Sequence, residues 1–69
     1  MFRDLIRIVN KDWKEIYRYK SRFKPEVDEY IYIDPKYYKV LATIHVAPTA
    51  FKARSLVVVV EEYGDWKKL

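Results

Sequence analysis

The chain has no cysteine and no glutamine, and only one glycine, one histidine and one asparagine among 69 residues. Without cysteine there are no disulfides, no thiolate nucleophiles and no thiolate-ligated zinc or iron–sulfur sites, and no sign of an oxidising compartment. An intracellular, cytoplasmic protein held together by its core is the expectation. A single glycine, Gly64, rules out a glycine-rich phosphate loop. A single histidine, His45, leaves neither a two-histidine metal site nor a serine triad with a base to spare. Long apolar runs are missing too. The stretch over residues 2–9 is broken by Arg3, Asp4 and Arg7, and nothing approaches the roughly 20 residues that cross a bilayer, so neither a membrane anchor nor a signal peptide is expected. Scarce labile side chains combined with 35% charged residues resemble hyperthermophile usage.

What is present is basic and aromatic. The net charge is +4, and the chain carries seven tyrosines, three phenylalanines and two tryptophans. Arg3, Arg7, Lys11, Lys14, Arg18 and Arg22 recur at steps of three and four, which return to nearly the same azimuth of an α-helix. The opposite stripe reads Phe2, Leu5, Ile6, Val9, Trp13, Ile16 and Tyr17. The spacing predicts an amphipathic helix from residue 2 to 19 or 23, closed by Lys24-Pro25 because proline disfavours helix in the residue before it.

Beyond the proline the pattern turns to strands. Residues 30–33 alternate tyrosine with isoleucine, Asp34-Pro35-Lys36 is a turn signal, and residues 37–46 are rich in β-branched and aromatic side chains. Residues 47–50 break the pattern, 51–55 read as a loop, and the apolar run 56–60 predicts a central strand covered on both faces. Gly64-Asp65 turns the chain into a tail, 66–69, that Trp66 should keep ordered. The fold class expected is α+β, one domain over residues 1–69: an N-terminal helix packed through Leu5, Val9, Trp13 and Ile16 on a three-stranded, mainly antiparallel sheet. Alternation turns Tyr38, Val40, Ala42, Ile44 and Val46 to the helix and Lys39, Leu41, Thr43 and His45 away from it. Ile31 and Ile33 should face inward, Tyr30 and Tyr32 outward. A sheet covered on one side only leaves an open face with apolar area, the mark of a partner site.

Catalysis finds little support. Ser21 and Ser55 have no activating neighbour, and Glu26, Asp28, Glu29, Glu61 and Glu62 read as solvated charges near loops and strand ends. No enzyme activity is expected, and no catalytic, cofactor-binding or metal-binding residue. Two binding readings remain. In the favoured one the chain is a protein-binding regulator or inhibitor that docks an acidic macromolecular surface. Tyr30 and Tyr32 with the Ile33, Tyr37 and Tyr38 segment serve as anchors, and the basic stripe complements the partner. The alternative is a small nucleic-acid-binding protein that lays the helix stripe Arg3, Arg7, Lys11, Lys14, Arg18 and Arg22 along phosphates.

Ile33-Asp34-Pro35-Lys36-Tyr37-Tyr38 resembles the peptide by which proteins bind DNA sliding clamps, where a glutamine precedes a spaced hydrophobic and an aromatic pair. Here the glutamine is missing, and the hydrophobic lies four residues before the pair instead of three. With its small size and thermophile-like usage, the chain resembles in general features the small archaeal, Thermococcales-type inhibitors of the sliding clamp. That resemblance implies a non-enzymatic inhibitor that binds the clamp and blocks DNA synthesis.

Overall fold

Ile6 and Ile8, two β-branched residues a step of two apart, set the character of the N-terminal segment. The computed structural model describes residues 3–65, and the only regular elements among them are β-strands. These are β1 (Asp4–Val9), β2 (Glu15–Ser21), β3 (Tyr30–Ile33), β4 (Lys36–Val46) and β5 (Ser55–Asp65). The segment in which basic spacing predicts a helix is an antiparallel β1–β2 hairpin, so the α+β expectation is corrected to an all-β fold. Phe2 of the expected apolar stripe and the 66–69 tail lie outside the described residues.

The physical reason lies in two features of that segment. Ile6, Ile8 and Val9 in β1 and Ile16, Tyr17 and Tyr19 in β2 are β-branched or aromatic, types that lose rotamer freedom in a helix and fit a pleated surface. Between them Asn10 closes the turn. Its backbone N–H donates to the Lys14 carbonyl and its carbonyl accepts from the Trp13 N–H, both at 3.0 Å. Its side-chain Oδ1 accepts from the N–H groups of Asp12 at 2.9 Å and Lys14 at 3.0 Å. An asparagine that bonds its own neighbours offers the backbone an alternative to helix, and here it ends β1. Trp13 consequently sits at a φ of 64°, in the left-handed region, with 65% of its surface exposed. It is a hairpin-tip residue, and not the core anchor that a helix would make of it.

The strands form one sheet in the order β2-β1-β5-β4-β3, antiparallel at every junction except β1 with β5, which run parallel. Register places Ile6 opposite Leu56, Ile8 opposite Val58 and Val40 opposite Val60, and these six side chains form one buried cluster, with Val9 buried beside Val59 at the end of β1. Ile16 and Tyr19 from β2, Ile31 and Ile33 from β3, and Tyr38 from β4 pack against the same cluster. Both edge strands therefore reach one core, which requires the sheet to curl over itself, and no helical layer is needed to cover it. The expected central strand is β5: Leu56, Val58 and Val60 are buried on the inner face, and Val57 and Val59 are half-buried on the outer one.

A second correction concerns β4. Val40 pairs with Val60 but Ala42 pairs with Val59, so Leu41 is an extra residue, a β-bulge. Past the bulge the alternation reverses. Thr43 and His45 stand opposite Val58 and Leu56 on the inner row, while Ala42, Ile44 and Val46 take the outer face. Ahead of it the expected pattern holds, with Ile31 and Ile33 against the core and Tyr30 and Tyr32 exposed. Asp34 and Pro35, joined by a cis peptide bond, make the turn between β3 and β4. Among the described residues no helix is long and apolar enough to cross a membrane.

Candidate anion-binding cleft

The outer face of the β1–β2 hairpin brings directly opposite each other side chains that a helix would have held about three turns or more apart. Arg7 stands directly opposite Arg18, and Leu5 opposite Lys20. Because β1 and β5 are parallel, the start of β5 lies beside the start of β1, with Ser55 paired to Leu5. The loop that leads into β5 therefore arrives at the same end. Its residues Lys52, Ala53 and Arg54, with Ser55, meet Arg3, Leu5, Arg7, Arg18 and Lys20 around a cleft of about 460 Å³. Leu5, Ala53 and Ser55 are its uncharged lining, and the other six lining residues are cations.

Two carboxylates organise these cations. Glu15 accepts a 2.7 Å hydrogen bond from Arg7 Nε and bonds of 2.9 and 3.1 Å from Arg18 Nε and Nη2. A single acidic side chain thus holds two facing guanidiniums that would otherwise repel, and Arg7 spends only its inner nitrogen on the contact. Asp4 bridges Arg54 Nε at 2.8 Å and Lys24 Nζ at 3.2 Å, tying the loop before β5 and the segment after β2 to the start of β1. The Lys24 hydrogen bond, helped by Arg54, holds the Asp4 carboxyl below its ordinary range, and the bonds from Arg7 and Arg18 do the same for Glu15. Both acids are therefore ionised at neutral pH. Arg3, Lys20 and Lys52 make no ion pair among the described residues.

Six cations set against Asp4 and Glu15 leave a local excess of four positive charges, equal to the net charge of the whole chain. The remaining eight basic and eight acidic residues cancel by count. Some of them pair directly, Lys11 with Glu61 at 2.8 Å, which holds the Glu61 carboxyl below its usual range, and Lys36 with Glu62 at 3.1 Å. A concave cleft lined by cations and a few apolar residues focuses potential on an anion that enters it.

The expected basic stripe is divided by the hairpin. Arg3, Arg7 and Arg18 line the cleft, Lys11 and Lys14 sit at the hairpin tip at the far end of the strands, and Arg22 lies past β2 with its guanidinium 5.2 Å from the Phe23 ring centroid. Lys20, Lys52 and Arg54 complete the cleft and are missed by helical spacing. Their signal is alternation, Arg18 with Lys20 and Lys52 with Arg54, the step that puts side chains on one side of an extended chain.

The tyrosine group gathers elsewhere. Tyr30 meets Tyr63 edge-on at 5.0 Å, Tyr32 lies 5.4 Å from Tyr37, and the Tyr32 hydroxyl donates to Asp34 Oδ1 at 2.5 Å, a bond that raises its pKa. Ile33 and Tyr38 of the same segment are turned inward against the core, so Tyr37 is the motif residue left on the outer face. Among the described residues no group of three or more His, Asp or Glu is placed to hold a metal ion. No protein-family model, no curated protein and no solved structure matches the chain.

Proposed function

We propose that the chain is a nucleic-acid-binding module that grips the phosphate backbone in the cleft formed by β1, β2 and the loop before β5. The observation that carries this reading is the gathering of six cations around one concave site, with Asp4 and Glu15 the carboxylates that pair with them. Arg7 and Arg18, fixed side by side on Glu15, supply oriented donors for phosphate oxygens. Arg3, Lys20 and Lys52, which make no ion pair among the described residues, supply further charge. Contacts of this kind position a backbone without reading sequence, so the binding is expected to be sequence-tolerant.

The test is the salt dependence of binding to a single-stranded oligonucleotide. Each phosphate neutralised on a single strand contributes about −0.7 to the log–log slope, so an excess of four charges corresponds to about −2.8. A slope near zero, or no binding at low salt, would overturn the proposal.

A second reading, a regulator that docks an acidic protein surface, is supported by the half-exposed Tyr30, Tyr32 and Tyr63, one of them oriented by Asp34. Affinity capture with and without nuclease separates the two. A protein retained after nuclease, and lost with Tyr32→Ala, supports the second reading; capture that depends on nucleic acid supports the first.

A further inference from the structure

Phe51 is 97% exposed, the most exposed large hydrophobic side chain among the described residues, so the fold gains almost nothing from its ring. Yet the backbone that carries it is tied to Thr49 by hydrogen bonds. Thr49 Oγ1 accepts hydrogen bonds from the N–H groups of Phe51 at 3.2 Å and Lys52 at 3.0 Å, and the Thr49 N–H donates to the Lys52 carbonyl at 2.8 Å. This closed turn holds the ring out in solvent, one residue before Lys52, the first of the loop residues that wall the cleft. The far side of the loop is fastened as well, by Arg54 on Asp4.

We infer that Phe51 is a stacking platform for an unpaired base, which makes the ligand of the cleft a single strand; the inference rests on the phosphate-binding reading above. A backbone seated among the cleft cations throws its bases outward. A π-face one residue along the chain from the cleft's Lys52, on a turn that is already hydrogen-bonded, can take one of them at little entropic cost. Stacking on an aromatic ring is tolerant of base identity, in keeping with a site that positions phosphates and reads no edges. In a duplex the bases are already stacked and paired, and the ring has nothing to receive. Phe23, 73% exposed, supplies the contrast: Arg22 lies over its ring, and it lines a different depression with Tyr19, Lys24, Pro25, Glu29, Tyr30 and Ile31.

The experiment titrates the full chain, Phe51→Ala, Phe51→Trp and Phe23→Ala with two probes of about a dozen nucleotides, within the site sizes of single-strand binders. One probe is oligothymidylate and the other an abasic oligonucleotide of equal length and charge. Circular dichroism checks each fold, which loss of so exposed a ring should leave intact. Phe51→Ala is expected to weaken oligothymidylate binding by about 5- to 140-fold, the equivalent of 1–3 kcal/mol per stacked base, and to leave abasic binding unchanged. Phe51→Trp should keep the affinity and show quenched indole fluorescence, and Phe23→Ala should behave as the parent chain. Equal losses on both probes, or no loss on either, would overturn the inference. If the parent chain binds both probes equally well, the cleft reading stands and stacking alone falls. If it binds neither, the cleft reading has failed and stacking with it.

Discussion

Trp13 is where a hairpin and a helix make opposite demands, and a pair of substitutions reads the difference. Trp13→Gly and Trp13→Ala both remove the indole, whose buried third, roughly 80 Å², is worth at most about 2 kcal/mol, so that loss is common to the two variants. What separates them is the backbone. At a φ of 64° an L-residue carries about 1–2 kcal/mol of steric cost that glycine escapes. Glycine gives back about 0.5–1 kcal/mol through its greater freedom in the unfolded chain. The glycine variant should therefore be the more stable by about 0.5–1 kcal/mol, or about 2–8 °C in Tm for a domain of this size. In a helix interior the order reverses, alanine exceeding glycine by about 1 kcal/mol. Thermal unfolding followed by circular dichroism decides between them. An alanine variant more stable than the glycine variant would refute the turn at Asn10 and with it the hairpin.

Ile8 is fully buried between Tyr17 of β2 and Val58 of β5, so Ile8→Ala should cost about 2–5 kcal/mol in urea unfolding, a large share of what a domain this small has; a loss below about 1 kcal/mol would show that the curled sheet does not enclose this core. Asp4, Glu15 and Glu61 have folded pKa values below their ordinary ones, so each contributes stability that is present above the unfolded value and lost as pH falls through the folded one. Tm should stay flat down to about pH 5 and decline below about pH 4, with a smaller decline in Asp4→Asn/Glu15→Gln. An acid-insensitive Tm in the parent chain would contradict the ion pairs at Asp4 and Glu15.

How far the sequence discloses this molecule depends on whether local pattern or distant pairing decides each element. The run 56–60 is legible as a central strand because an unbroken, mostly β-branched apolar run suits a strand paired on both sides, although only its inner face is fully buried. Residues 30–33 are legible because isoleucine and tyrosine sort themselves between core and solvent. The hairpin of β1 and β2 misleads because two strands folded back at Asn10 happen to keep basic residues three and four apart. The contrary signals were the β-branched and aromatic content of both arms and a turn-forming asparagine between them. The bulge at Leu41 has no local signature; it follows from how β4 accommodates β5, and it exchanges the faces of Thr43 and Ile44. The cleft is half legible for the same reason. Arg3, Arg7 and Arg18 stand out by charge alone, whereas Lys52 and Arg54 join them only because the parallel pairing of β1 with β5 returns a distant loop to that end of the sheet.

On the proposed reading, location and not net charge makes the cleft bind a phosphate backbone. Two triple variants test it: Arg3→Ala/Lys20→Ala/Lys52→Ala in the cleft, and Lys11→Ala/Lys14→Ala/Lys39→Ala away from it. Both lower the net charge from +4 to +1. Binding of each to the same single-stranded oligonucleotide is measured across a salt series. The expected result is that the cleft variant loses about 2 units of log–log slope and most of its affinity while the distant variant keeps the parent slope. Equal losses in the two variants would contradict the account, because binding would then follow the overall charge and the cleft would have no part in it.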